Sequence, residues 1–152
     1  MRFLAGEADV LREGFGLVFD TLSRRLEEPG HDLNWRPDGT WNSEGVLVRH
    51  VCAACIGMVG VAMAGLSHRT PSHDEQFAEG RADRGALRAL VAEARQVVDE
   101  ALDATSDFEP KVPLWGGLQR TKRQVALLAL GHANHHVGQM ALMDRLRKAR
   151  PA

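Results

Sequence analysis

The sequence predicts an all-α protein, a single four-helix bundle over residues 1–152, on three observations. Apolar residues recur at helical spacing in four separate segments, no segment sustains a period of two, and the stretches between them are polar or rich in Pro, Gly and Trp. At 152 residues and 44% hydrophobic, the chain can bury a core without covalent staples. The two cysteines are too few for a disulfide framework.

The first helix is expected from about Leu4 to Leu26, where Leu4, Leu11, Phe15, Val18, Phe19, Leu22 and Leu26 make one stripe. The second follows Asn42 or Ser43, either of which can cap it, and carries Val46, Leu47, Ala54, Met58 and Val61 towards Leu66. The third runs from about Asp83 to Leu102, with Leu87, Leu90, Val91, Ala94, Val97, Val98 and Ala101 on one face. The fourth opens on Thr121 and Gln124 at capping-box spacing and reaches about Leu146. Two connections, EEPGHDLNWRPDGTW and TSDFEPKVPLWGGLQR, read as ordered loops over one end of the bundle. SHRTPSHDEQFAEGRADRG is polar and charged and reads as either mobile or only partly helical.

Charge narrows the function. Nineteen basic residues against twenty acidic leave a net charge of −1, with no basic run that would track a phosphate backbone, so nucleic acid is not the expected partner. The first fifteen residues carry Glu7, Asp9 and Glu13 and do not read as a signal peptide. No segment has eighteen uninterrupted apolar residues, so neither is a membrane the expected partner. The expectation is a cytoplasmic protein acting on a small molecule.

The chemistry gathers in GHANHHVGQM, residues 131–140, which holds three of the seven histidines. At about 100° per residue, His132 and His136 fall roughly 20° either side of the centre of the apolar stripe of the fourth helix, taken from Val125, Ala129, Met140 and Met143, with Leu128 and Leu146 on its flank, and so face the core. His135 lies at the edge of the stripe. On the second helix, His50 sits among Val46, Leu47, Ala54, Gly57 and Val61. A neutral imidazole facing a core buries a donor and an acceptor that must find partners. Three together can be satisfied either by a core hydrogen-bond cluster or by one divalent ion held by an i, i+4 pair and a third histidine. Spacing does not separate the two.

Other residues carry weaker signals. Gln139, on the same face as His136, could orient a ligand or a bound water, or merely pack. Trp35, Trp41 and Trp115 flank the second and fourth helices and could roof a pocket or seal the bundle end. Arg36 and Arg120 could attract an anion. His31, His68 and His73 fall in polar connections and read as solvated. CAAC, Cys52 to Cys55, lies within a helix and off the His50 face, with no second pair for zinc. It reads as small apolar filling against the first or third helix or another subunit.

The stretch LNWRPDGTWNSEGVLVRHV, followed much later by HANHHVGQMALMDRL, resembles the DinB-like superfamily of metal-binding four-helix bundles. The resemblance runs from about Leu33 to Leu146 and includes HDEQFAEG, where relatives often carry an Asp/Glu-Phe element. It departs at His135, where many relatives have an aromatic residue, and at Glu44, where a small or apolar one is common. It implies a metal held by His50, His132 and His136, with zinc or nickel as the fitting ions; Gln139, His135 and Trp41 are then the candidates to surround it. The family includes thiol-dependent transferases and isomerases using bacillithiol or mycothiol. The resemblance therefore implies a metal-dependent enzyme, a thiol or group transferase or a hydrolase, with a low-molecular-weight thiol as cosubstrate. The alternative is a non-catalytic small-molecule-binding or stress-response bundle with a structural metal or none. Homodimers are common among relatives, and Cys52 and Cys55 on an outer face would suit one.

Overall fold

A computed structural model describes residues 6–78, 80 and 82–149; Leu4, the expected start of the first helix, lies outside them. The elements are α1 (Glu7–Glu27), α2 (Glu44–Cys55) running unbroken into a π-helical stretch (Ile56–Met63), α3 (His73–Phe77), α4 (Arg84–Asp103), β1 (Lys111–Pro113), β2 (Gln119–Thr121) and α5 (Lys122–Ala149). The four long helices are the expected bundle. α1 packs against α4 and α5, and α2 packs against the same two, so α1 and α2 lie on opposite corners.

Local chemistry sets the ends. Ser43 Oγ accepts from Val46 N–H at 3.4 Å, and Asp83 Oδ1 from Ala86 N–H at 2.7 Å, starting α2 and α4. The capping box before α5 forms: Thr121 N–H donates to Gln124 Oε1 at 3.0 Å, and Gln124 N–H to Thr121 Oγ1 at 3.2 Å. The helix through Met63 ends on Gly65, whose φ of 71° lets Leu66 N–H return to Gly60 O at 2.9 Å.

The core is the expected α1 stripe from Leu11 to Leu26, the α4 face, and Val48, Val51, Cys52, Cys55, Ile56, Val59 and Met63 from α2 and its continuation. Of the expected face, Val46, Leu47 and Met58 are also buried, whereas Ala54 and Val61 are only half-buried, so the buried face is wider than expected and centred elsewhere. This helix is apolar almost all round, because it meets α4 on one side and α5 on another, and periodicity alone picks no face. Glu44–Met63 is also long and apolar enough to cross a membrane by length and composition, but 67% of its most apolar window is buried in the bundle.

On α5 the buried residues are Val125, Ala126, Ala129, Ala133, Met140 and Met143. Leu128 and Leu146, expected on the core flank, are 48% and 38% exposed. The buried face is turned roughly 50° from the expected centre, which leaves the histidines at its border.

One element was not expected. Residues 111–121 form an antiparallel hairpin, with Val112 opposite Arg120, closed by Gly116 and Gly117 at φ of 67° and 75°. The polar connection folds into the five-residue α3 through a second capping box, with Ser72 and Glu75 bonding each other's backbone.

Close helix packing makes one prediction. A Cβ on Gly60 would sit well inside contact distance of Val97 Cγ1 on α4. Val97 is buried and stiff at χ1, so it cannot swing aside. Gly60→Ala is therefore expected to cost about 1–3 kcal/mol, read as a lower denaturant midpoint with an unchanged slope.

Candidate metal centre

α2 and α5 bring His50, His132 and His136 together. His132 Nε2 lies 3.0 Å from His50 Nε2 and 2.9 Å from His136 Nε2, and all three rings are half-buried. The three rings stand nearly perpendicular to one another, with centroids 4.6–4.9 Å apart.

The far nitrogens decide what the near ones can do. His50 Nδ1 donates to Gln76 Oε1 at 2.7 Å, and His136 Nδ1 donates to Gln139 Oε1 at 2.5 Å. Gln76 is fixed in this sense because its Nε2 donates to Pro71 O at 2.8 Å. A neutral imidazole whose Nδ1 carries the proton has a bare lone pair on Nε2. Two such lone pairs therefore face His132 Nε2, and one proton on that nitrogen could serve at most one of them. A cation serves all three. Ligands held about 2.0–2.1 Å from a common ion lie roughly 3 Å or slightly more apart, so the donor set fits one. Among the described residues no further His, Cys, Asp or Glu joins the three.

Burial keeps the rings neutral. Desolvation lowers the pKa of all three; for His132 the other histidines lower it further, to about 4. In metal-free protein the folded chain thus takes up protons on these rings less readily than the unfolded chain. The resulting stability is fully present above the ordinary value near 6.5 and is lost as pH falls from there towards 4. The urea midpoint of chelator-treated protein is expected to fall between pH 7 and pH 5, and to fall less in His132→Asn.

The centre opens on one side. His50 and His132 reach the wall of a cavity of about 840 Å³, bounded by α2 and its π-helical continuation, α5, the hairpin, and the segment before α4. Phe77 closes another side, its ring 4.5 Å from that of His50.

The remaining expected residues are spread around the centre. Gln139 holds His136 and, with Trp41, lines a separate recess of about 230 Å³. His135 is exposed, its ring centroid 5.1 Å from that of His136. Trp35 and Trp41 pack against the core, and Trp115 lines the cavity. Arg36 lines a different recess with Asp32 and Asn34, and the Arg120 guanidinium donates to Gln119 O.

Two expectations are corrected. His31 is buried rather than solvated: its Nε2 donates to Glu44 Oε2 at 2.5 Å and its Nδ1 accepts from Arg147 at 3.2 Å. Cys52 and Cys55 are fully buried in the core, so neither offers an outer face to another subunit. Burial raises both thiols, Cys55 to about 12 and Cys52 well above its ordinary value, which removes them as nucleophiles at neutral pH. Gln76 and Phe77 went unrecognised as parts of the site, though the Ser72–Glu75 capping spacing marked the short helix that carries them.

The sequence matches the model of the DinB superfamily over residues 17–140, a span that includes all three histidines and Gln139. No curated protein and no solved structure matches it.

Proposed function

The chain belongs to the DinB superfamily, and on that premise we propose that it is a metal-dependent enzyme, a thiol or group transferase, working through zinc or nickel on His50, His132 and His136. The observation that carries the reading is the convergence of three Nε2 atoms, two of them on rings whose tautomers glutamines fix, beside an open cavity.

A divalent ion held there supplies Lewis acidity, lowering the pKa of a thiol or water that reaches it. The protein's own part is positional. Gln76 and Gln139 hold two imidazoles by their Nδ1–H groups and so aim the Nε2 lone pairs inward. Burial keeps the ligands unprotonated at neutral pH, and Phe77 shields His50 from solvent. Three protein ligands would leave room for an exchangeable one, as a catalytic site requires and a closed structural site does not.

Elemental analysis of untagged protein beside His136→Ala tests the proposal. Near-stoichiometric metal in the parent and its loss in the variant are expected. A parent that stays empty after reconstitution with zinc and with nickel would sink it.

A further inference from the structure

The cavity beside the three histidines is walled almost entirely by hydrocarbon. Ala54, Gly57, Met58 and Ala62 form its floor, Leu128 one side and Trp115 its rim. No Lys, Arg, Asp or Glu lines it among the described residues. Its glutamine, Gln76, has both ends engaged, by His50 and by Pro71 O. Trp115 and Leu128 are 64% and 48% exposed, apolar surface that an occupant would cover. Besides Gln76 and the histidines of the centre, Thr70 and His73 are the polar side chains on the wall, so a charged or many-hydroxyl molecule entering here would give up water and find few partners in exchange. A volume of about 840 Å³ lies within the range of sites that take small molecules.

We infer that the molecule meeting the three-histidine centre through this cavity is small, uncharged and predominantly apolar, with one polar group at the end facing His50 and His132. This rests on the centre being the metal site proposed above. It assigns the cavity to the acceptor of the transferred group.

Calorimetric titration of the zinc-loaded protein with 2-naphthol and with 2-naphthalenesulfonate tests the inference, since the probes share a ring system and differ in charge. The naphthol is expected to bind, and the sulfonate to bind at least about tenfold more weakly. Ala54→Phe, which fills the cavity one turn beyond His50, and Leu128→Glu, which places a charge on its half-exposed wall, should each weaken the naphthol about tenfold and leave zinc content unchanged. Leu128→Glu alters a solvent-facing position, so it carries the test if Ala54→Phe fails to fold. No naphthol binding, equal binding of the two probes, or indifference of the folded variants would overturn the inference. His136 does not line the cavity, so His136→Ala should lose zinc and still bind the naphthol. A parent without zinc that binds the naphthol would refute the metal reading alone; a zinc-loaded parent that ignores it would refute the apolar substrate alone.

Discussion

Glu44→Ala is expected to destabilise the protein by about 3–5 kcal/mol, the largest loss from any single substitution considered for this chain. The Glu44 side chain is only 4% exposed and accepts from Arg25 Nε at 2.5 Å, from Arg25 Nη2 at 3.0 Å and from His31 Nε2 at 2.5 Å. Arg25 also meets Asp144 at 3.0 Å and Met140 O at 3.2 Å, so one carboxylate at the head of α2 ties α1, α5 and the loop after α1 together. Removing it leaves a guanidinium that is 12% exposed with part of its charge unanswered, and an imidazole N–H with no acceptor. Asp144 remains as a partial answer, which favours the lower end of the range. Urea titration reads the loss. The double variant Arg25→Met with Glu44→Met removes both charges and is expected to recover most of it, because the cost lies in the orphaned partner rather than in the missing attraction.

Gln76→Leu and Gln139→Leu are each expected to weaken metal binding about 10–100-fold with little change in stability. Leucine keeps the approximate bulk and removes the carbonyl that accepts from Nδ1–H. Without that acceptor the proton can move to Nε2, where it blocks the lone pair a metal needs, and the ring is free to turn. Competition with a chromophoric chelator measures the affinity. Gln76→Glu should retain or tighten binding, since a carboxylate accepts the same proton and makes the imidazole a stronger donor. A loss in that variant equal to the loss in Gln76→Leu would mean that Gln76 only fills space.

The parts that sequence made legible are those that repeat. Three of the four long helices were readable because each keeps a polar face to water, and the other by its apolar length; Ser43, Asp83 and Thr121 punctuate three of the four. His132 and His136 were readable as a pair because a four-residue step is almost one helical turn. Gln76 was not, because α3 is five residues long and no period can establish itself over that length. The hairpin was hidden for the same reason, having three residues in each strand. His31 lies in a stretch whose composition is that of a surface loop; its burial comes from Glu44, thirteen positions on, and from Arg147 at the far end of the chain. Which side of α2 faces the core was undetermined, since the run IGMVGVAM offers no polar residue to mark the outside.

That same run turns through a wider spiral than the helix it continues, from Ile56 to Met63. Residues downstream of Cys55 are consequently out of phase with those upstream: the cavity wall passes from 53 and 54 to 57 and 58 and then to 62, where a regular α-helix would have returned to 61. Deleting one residue here, or inserting one, would move the helix towards or away from regular phase and deal a different set of side chains to the wall. His50, upstream of the change, would keep its place. The length of this segment is thus a dial on what the cavity admits, set independently of the centre it serves.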